Sequence, residues 1–540
     1  MSFVKRINSI RLILMLTAFY TFFYNFALWS KLAKLIEINS LHSLLFFVSI
    51  PVFVFAVINI LFTLISIPYL KRPLYILFIV IGCLVSYFAI FYHAMFDLGM
   101  MQNVMQTDVS ESMDLFSMLL LIWVLLMGVL PVLYIALVKI NTANRWYKEL
   151  GFKLLNIVAS VLVILVIASC FFKDYAPFVR NHKYITKLIL PSNVIQASLR
   201  YVKHRYISDH ETFEVIGKDA HLGASWQHRD KPSLLILVVG ETARAENFSL
   251  DGYSRQTNPL LAKDGVISYS NFHSCGTYTA LSVPCMFSVM NRTNYNGDRA
   301  HHQSNLMDLL RRAHFNLLWR DNDGGSKGVA DRIKYVNVRD FDLAKVCSHG
   351  ECRDDALLYK LQSYIGKQKG NTVIVLHQMG SHGPTYYQRY SKPYAKFEPT
   401  CNTNQIQGCS HQKLVNTYDN TLLYTDQFLN RVIQTLKHND SRFNTAMLYL
   451  SDHGESLGEH GMYLHGAPYM IAPSQQTHIP YIMWFSPGFV HSFDLNTRCL
   501  REQRAKHFSQ DNLFHSVLGL LDVKTKLYNP KLDLFASCHT

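Results

Sequence analysis

The sequence predicts a membrane domain of five transmembrane helices followed by a large α/β domain outside the membrane. Three features support this fold class: long apolar stretches confined to the first third, an ordinary soluble composition after residue 172, and short apolar runs alternating with helical patterns in that second part. The 540 residues are 49% hydrophobic and only 17% charged, against ~25% charged in a typical soluble protein. This composition excludes an intrinsically disordered chain.

Five apolar stretches lie in the first 172 residues, and each is close to the ~20 residues that a helix needs to cross a bilayer core. Backbone groups in lipid must bond internally, which leaves the helix as the structure available to such segments. The first stretch is too long for the apolar region of a secretory signal and lacks a small-residue cleavage site. The predicted spans are 10–29, 44–67, 74–96, 115–138 and 154–172.

The charges of the connecting loops predict how these helices are oriented. Basic residues precede the first span and fill the second and fourth loops, whereas the third loop is acidic. Because basic loops stay in the cytoplasm, we expect a cytoplasmic N-terminus and a periplasmic location for everything after residue 172, in a bacterial inner-membrane protein. The first loop fits least well, since Lys31 and Lys34 lie there with Glu37.

The cysteines provide an independent indication of export. Two of the ten, Cys83 and Cys170, lie in predicted spans, and the other eight lie in the second part without any CxxC zinc spacing. Close, even-numbered pairing in an exported domain is typical of disulfides; unpaired core cysteines are the alternative. The predicted pairs are Cys275–Cys285, Cys347–Cys352, Cys401–Cys409 and, from the remaining two, Cys499–Cys538.

Residues 173–231 connect the two parts, and segment 184–206 within them interleaves apolar, basic and aromatic residues. This pattern would suit an amphipathic helix on the membrane surface, and a plain packed linker explains it equally well. Basic, aromatic stretches also occur in nucleic-acid-binding proteins. Export argues against that function, so we expect no nucleic-acid partner.

Residues 232–540 form the predicted globular domain. The runs 232–239, 371–376 and 445–450 are apolar without alternation, which is typical of parallel strands buried on both faces. Helical patterns at 305–313 and 415–436 lie between them, which favours an α/β sheet covered by helices. Ligands of such sheets bind beyond the carboxyl ends of the strands.

Carboxylates and imidazoles follow these three predicted strands. Such mixed ligands favour Zn²⁺ over Mg²⁺ or Ca²⁺, which prefer oxygen alone. Any one of the 24 histidines could instead lie at the surface, and Glu241 alone could be a helix cap or an ion-pair partner. The residues are Glu241 after the first strand, His377 and His382 after the second, Asp452 and His453 after the third, and His465 further along.

Residues 273–288 supply hydroxyl groups that could act as a nucleophile: Ser274, Thr277, Thr279 and Ser282. Each could equally be a turn or cap residue. A hydroxyl bound to Zn²⁺ would lose its proton readily, and a helix N-terminus beside it would hold a phosphate. Pro284 would remove a hydrogen bond from a regular helix beginning at Thr279, so we expect an irregular first turn or a later start.

Several motifs together resemble the bacterial phosphoethanolamine transferases, closely those of the neisserial lipid A type. They are VVGETARAENFSLDGY, CGTYTALSVPCMFS, WRDNDGGSKG, HQMGSHGP and YLSDHGESLGEHGMYLHG, and with the five spans they cover essentially the whole chain. The family includes lipid A enzymes and the mobile colistin-resistance proteins. The resemblance implies an alkaline-phosphatase/sulfatase-like catalytic domain in the periplasm.

The resemblance also implies a metal site and a nucleophile. It places one tightly bound Zn²⁺ on Glu241, Thr279, Asp452 and His453. Thr279 is the implied nucleophile, because the family has it immediately before the segment that corresponds to ALSVPCMFS.

Four further residues match positions that the family uses to bind the substrate. His382 and His465 correspond to residues that bind a second zinc ion or the phosphoryl group, and this choice stays open. Lys327 lies in the loop that contacts phosphoethanolamine. Asp323 stands where some members have an amide, which puts that contact in question.

The implied reaction is transfer of phosphoethanolamine from phosphatidylethanolamine to a phosphate of lipid A, through a phosphothreonine, with release of diacylglycerol. Added amines on lipid A would lower sensitivity to polymyxin and other cationic peptides. We expect a monomer with membrane lipids as its other partners. The alternatives are a core heptose or Kdo acceptor, a phosphoglycerol transferase or phosphatase of the same superfamily, and a non-enzymatic membrane sensor.

Overall fold

The computed structural model describes residues 6–107, 109–141, 145–203, 212–341, 343–348 and 350–539. The chain divides into two compact units, Met1–Met101 with Phe116–Val202 and Gln102–Leu115 with Lys203–Thr540. Asp108 of the acidic third loop and residues 204–206 of the predicted amphipathic segment lie outside the described residues.

The first unit consists of apolar helices. Four continuous helices are long and apolar enough to cross a membrane: Leu41–Leu64, Lys71–Phe91, Met118–Leu137 and Trp146–Tyr175. The first predicted span is a bent pair, Ser9–Tyr24 and Phe26–Leu35, with an angle of 56° between the two helices. Counting that pair as one, the described residues contain the five predicted spans. The bend falls at Asn25, whose side-chain amide donates to the backbone oxygen of Tyr20 at 3.1 Å.

Shorter elements complete this part of the chain. The strands Arg6–Asn8 and Lys139–Asn141 form a small parallel pair, and the helix that starts at Trp146 continues to Asn181. After it come a 3₁₀ helix, Lys183–Leu188, and an α-helix, Ser192–Val202. The helices Leu98–Gln106 and Val109–Asp114 lie between the third and fourth spans.

The second unit contains an eight-stranded sheet. In chain order its strands are β1 (Ser233–Gly240), β2 (Ile267–His273), β3 (Asn316–Asp321), β4 (Lys334–Asn337), β5 (Thr372–His377), β6 (Asn444–Ser451), β7 (His478–Phe485) and β8 (Phe508–Ser509). Across the sheet the order is β8-β2-β7-β6-β1-β5-β3-β4. Strands β6, β1, β5, β3 and β4 are parallel, and β7 runs antiparallel to β6 and β2. The three strands predicted from apolar runs are β1, β5 and β6, which are neighbours at the centre.

Both faces of the central sheet are covered, which explains the absence of alternation in its sequence. Along β1, Leu235 and Leu237 enter one hydrophobic core while Leu234 and Ile236 enter the other. Adjacent strand residues point to opposite faces, so both sets must be apolar. The α-helices described in residues 212–539 are Pro259–Lys263, Thr279–Met286, Gly297–His301, Leu306–Arg312, Leu361–Gly366, His411–His438, Ser474–Thr477, Pro487–Ser492, Thr497–Glu502 and Leu513–Leu520.

All four predicted disulfides are present: Cys275–Cys285, Cys347–Cys352, Cys401–Cys409 and Cys499–Cys538. Cys83 and Cys170 are free. The first bridge joins the chain just after β2 to the helix Thr279–Met286, and the second closes a small hairpin. The first bridge therefore holds the helix that begins at Thr279 to the chain that leaves β2.

Candidate active site

The carboxyl ends of β1 and β6 bring three predicted residues together. Glu241 directly follows β1, and Asp452 and His453 directly follow β6, whose last residue pairs with the last residue of β1. Parallel neighbours end at the same edge of a sheet. All three side chains are fully buried, so this edge forms an enclosed polar cluster.

Thr279 joins this cluster. Its hydroxyl Oγ1 donates to Glu241 Oε2 at 3.2 Å and lies 3.4 Å from His453 Nε2. The same His453 Nε2 is 3.2 Å from Asp452 Oδ2 and 3.4 Å from Glu241 Oε1. The four residues that the resemblance places in one zinc site are therefore joined by contacts through Glu241 and His453.

The other three hydroxyls of this segment have structural roles. Ser274 Oγ donates to the backbone oxygen of Gly276 at 2.5 Å, and Thr277 Oγ1 donates to that of Ala467 at 2.7 Å. Ser282 Oγ accepts the N–H of Gly276 at 3.0 Å. Among the four hydroxyls, Thr279 is the one that contacts the buried carboxylates.

The helix Thr279–Met286 begins at Thr279 with Pro284 inside it. The backbone oxygen of Tyr278 accepts from both Leu281 N at 3.2 Å and Ser282 N at 3.0 Å. The first of these is an i to i+3 bond of the 3₁₀ type. The second is an ordinary i to i+4 bond of an α-helix, and such shared carbonyls are common at helix termini. The helix therefore begins at Thr279, and Pro284 lies after its first turn.

The arrangement of donor atoms fits a divalent cation. His453 Nδ1 donates to the backbone oxygen of Gly454 at 2.9 Å, which leaves the lone pair on Nε2. Glu241 Oε1 and Asp452 Oδ2 are buried and accept no hydrogen bond within the described residues. One ligand atom from each of these three residues lies within 4.8 Å of the others, and one imidazole with two carboxylates is a donor set that suits Zn²⁺.

The pKa values of these buried groups favour the binding of a cation in the cluster. Burial, reinforced by the charge of Asp452, raises the pKa of Glu241 well above its usual value. Burial also raises the pKa of Asp452 to about 6. Burial and then the neighbouring His465 lower the pKa of His453, which keeps its ring neutral and able to bind a metal.

His382 and His465 lie beside this cluster. The ring centre of His465 is 4.5 Å from that of His453 and 5.4 Å from that of His382. His465 Nδ1 is 3.1 Å from Glu455 Oε2, and Glu455 Oε1 accepts the hydroxyl of Tyr386 at 3.1 Å. Burial alone would lower the pKa of His465, but Glu455 raises it. Sequence reasoning missed Glu455, although it lies in the same SDHGES motif as Asp452.

Lys327 and Asp323 lie on the loop after β3. Lys327 Nζ donates to the backbone oxygen of Gly324 at 2.7 Å. Burial alone would raise the pKa of Asp323, but the charges of His377 and Lys327 lower it to about 2. The predicted contact of Lys327 with the substrate stays a prediction.

Arg389 is a further residue that the sequence did not single out. Its Nε–H donates to the backbone oxygen of His382 at 2.8 Å. The rest of the guanidinium pairs with Glu351 and, at 2.7 Å, with Asp114. Asp114 belongs to the segment Gln102–Leu115 of the second unit. No local pattern could have revealed this contact, because 275 residues separate Asp114 from Arg389.

Comparison with known proteins gives consistent similarities over the whole chain. Residues 233–523 match the sulfatase family, and residues 54–206 match the family described as phosphoethanolamine transferase EptA/EptB. Phosphoethanolamine transferase EptA of Escherichia coli K12 is 45% identical over 97% of this chain and 96% of its own length. Phosphatidylethanolamine transferase Mcr-1 of Escherichia coli is 38% identical, with coverage of 89% and 90%.

A solved structure extends the similarity to three dimensions. The integral membrane lipooligosaccharide phosphoethanolamine transferase A of Neisseria meningitidis superposes with a TM-score of 0.95 at 41% identity, covering 99% of both chains. The similarity therefore extends over the membrane helices and the sheet-based domain together.

Proposed function

The chain belongs to the bacterial phosphoethanolamine transferases, and from that premise we propose that it moves phosphoethanolamine from phosphatidylethanolamine to a phosphate of lipid A. The observation that carries the mechanism is the hydroxyl of Thr279, which lies 3.2 Å from Glu241 Oε2 and 3.4 Å from His453 Nε2. Thr279 is the nucleophile of this proposal.

Glu241, Thr279, Asp452 and His453 would bind one Zn²⁺. The unpartnered oxygens of Glu241 and Asp452 and the free lone pair of His453 support this assignment. Zinc bound there would make the threonine hydroxyl more acidic and would offset negative charge on the phosphate.

In the first half of the reaction, Thr279 Oγ attacks the phosphorus of phosphatidylethanolamine. The bond from phosphorus to the diacylglycerol oxygen breaks as the bond to Oγ forms, and the proton of the hydroxyl passes to the carboxylate of Glu241, with which it already hydrogen-bonds. His382 or His465 gives a proton to the departing diacylglycerol oxygen. Lys327 and these imidazoles hold the phosphoryl oxygens.

In the second half, a phosphate oxygen of lipid A attacks the phosphothreonine. The bond between phosphorus and Oγ breaks, and Thr279 takes back a proton. The product carries an added ammonium group, which reduces the negative charge of the outer surface. Polymyxin and other cationic peptides would then bind it less tightly, because their attraction to that surface is electrostatic.

The proposed location follows from the substrates. Both are lipids, so the catalytic domain belongs beside the membrane, in the periplasm of an inner-membrane protein. The acidic third loop and the basic second and fourth loops support a cytoplasmic N-terminus. We expect a single chain to suffice for activity.

Mass spectrometry of lipid A from cells that express the chain tests the function. Wild type should add one phosphoethanolamine, and Thr279→Ala should not. Thr279→Ser is the matched variant, because it keeps the hydroxyl, and it should retain part of the activity. Addition by Thr279→Ala at the wild-type level would reject the mechanism.

A core sugar is the second acceptor to consider. Kdo(2)-lipid A phosphoethanolamine 7''-transferase of Escherichia coli is 27% identical over 75% of this chain, which is weaker than the similarity to the EptA proteins. The same spectra distinguish the two acceptors when the lipid A and core fragments are analysed separately. Modification confined to the core would replace lipid A as the acceptor.

A further inference from the structure

His377 is the last residue of β5 and has no role in the reaction proposed above. Its ring is fully buried, and its Nδ1 lies 2.7 Å from Asp321 Oδ1. Asp321 also accepts the N–H of Gly325 at 2.9 Å and the indole N–H of Trp319 at 3.3 Å. Carboxylate oxygens accept hydrogen bonds from such donors. His377 Nδ1 is therefore the donor, and in the neutral ring the lone pair lies on Nε2.

The Nε2 atom of His377, which carries the lone pair, lies near other acceptor atoms and not near hydrogen-bond donors. Asp323 Oδ2 is 3.8 Å from Nε2, beyond hydrogen-bond distance. Nε2 has no hydrogen-bond partner within the described residues. Glu241, Asp323 and His377 each offer a ligand atom within 4.8 Å of the other two, and all three residues are buried. Three acceptors facing one another in a buried space require a positive charge between them.

From this geometry we propose that Glu241, Asp323 and His377 bind a second divalent cation, with Glu241 shared between it and the first site. One imidazole with two carboxylates favours Zn²⁺. Metal-binding histidines usually donate the N–H of their other ring nitrogen to an acceptor such as a carboxylate, which fixes the ring. Asp321 is that acceptor for His377. The ion would fix the orientation of Glu241 beside Thr279.

Two cations near Asp323 hydrogen-bond to backbone oxygens. Lys327 Nζ donates to the backbone oxygen of Gly324 at 2.7 Å, and Arg339 donates to that of Asn322 at 3.0 Å. Burial alone would raise the pKa of Asp323, but the charge of His377 and then those of these cations lower it.

Two other arrangements compete with this one. In the first, His377 is a protonated imidazolium, and no metal is bound beside it. In the second, a second ion lies at His382 and His465 instead. His382 and His465 offer fewer ligand atoms to a metal, because His465 Nδ1 already contacts Glu455. The centres of their two rings are 5.4 Å apart.

Metal content separates these arrangements without measuring transfer. The full chain, purified in detergent, is stripped with EDTA, reloaded with excess Zn²⁺ and desalted, and zinc per chain is measured by plasma mass spectrometry. Wild type should hold two ions, His377→Gln and Asp323→Asn one each, and His465→Gln two. Zinc content is measured without any lipid substrate. It can therefore contradict the second metal site without contradicting the proposed transfer, and it can support that site even if the transfer is not observed.

Two results would overturn the proposal. One ion in wild type would assign the charge to a protonated His377. Two ions in His377→Gln together with one in His465→Gln would move the second ion to the other pair of histidines. Thermal unfolding of each zinc-free variant checks that the variant is folded. If His377→Gln does not fold, Asp323→Asn still tests the site.

Discussion

The Nε–H of Arg389 donates to the backbone oxygen of His382 at 2.8 Å, so a buried guanidinium holds a histidine of the site by its main chain. The other nitrogens of Arg389 pair with the carboxylates of Glu351 and Asp114. Glu351 adjoins the disulfide Cys347–Cys352. Arg389 therefore links two other segments of the second unit, those of Glu351 and Asp114, to the position of His382.

Replacing Arg389 should affect activity and stability in separable ways. Arg389→Gln removes the cationic partner of two largely buried carboxylates, Glu351 and Asp114, and we expect it to lower the free energy of unfolding by ~3 kcal/mol. Arg389→Lys keeps a charge but loses the fixed Nε–H, so we expect it to lower kcat about 10-fold while KM changes little, a range seen when positioning contacts are lost. Transfer assays and thermal unfolding of the detergent-solubilised chain measure both effects.

Arg431→Gln is the matched control for these variants. Arg431 pairs with Asp355 at 2.7 Å, but its side chain is 46% exposed, and exposed ion pairs contribute little. It should leave kcat and stability unchanged. A fully active Arg389→Lys enzyme would show that the contact with His382 has no positioning role.

The disulfides should stabilise the second unit according to the length of chain they close. Cys401 and Cys409 are 8 residues apart, and Cys499 and Cys538 are 39 apart. Replacing each pair by serine should cost ~2.5 and ~4 kcal/mol respectively, if the bridges act by restricting the unfolded chain. Denaturant unfolding measures both, with Cys170→Ser as the control because Cys170 is free. A larger loss for the short loop would contradict this explanation.

Asp426 should make stability depend on pH. Its carboxylate accepts the N–H groups of Leu260 and Leu261 at 2.9 Å each, and burial raises its pKa to about 7. The unfolded value is ~3.9, so folding favours the protonated form. The stability that this provides is complete below pH ~4 and is lost as the pH rises to about 7.

Asp426→Asn removes this titration. As the pH rises from 4 to 8, the wild type should therefore lose ~2–4 kcal/mol of unfolding free energy relative to Asp426→Asn. Thermal unfolding at the two pH values measures it, and other titrating groups cancel in the comparison. A difference that does not change with pH would place the pKa of Asp426 near its ordinary value.

Those parts of the fold that depend on local composition could be predicted from the sequence. Spans and buried strands carry their own apolar signal, and parallel strands bring Glu241, Asp452 and His453 to one edge whatever the loops do. The close cysteine pairs likewise needed only their spacing. Thr279 could be chosen only through the family resemblance, because four hydroxyls share its segment and hydrogen bonds to distant carbonyls distinguish them.

Contacts that depend on long-range placement could not be predicted. Asp321 and His377 are partners because β3 and β5 pair in the register that puts them side by side, and nothing in either strand specifies that register. The same holds for Arg389, whose partners Glu351 and Asp114 lie far apart in the chain. Such residues control the ionisation and position of the predicted site residues without belonging to any motif.

The covalent intermediate is the central claim, and trapping it tests the claim most directly. The purified chain is incubated with phosphatidylethanolamine and Zn²⁺ in the absence of lipid A, quenched in acid and digested for peptide mass spectrometry. We predict phosphoethanolamine on Thr279 in wild type and no modified peptide in Thr279→Ala. Phosphoethanolamine on another residue, or lipid A modification by Thr279→Ala, would contradict the account.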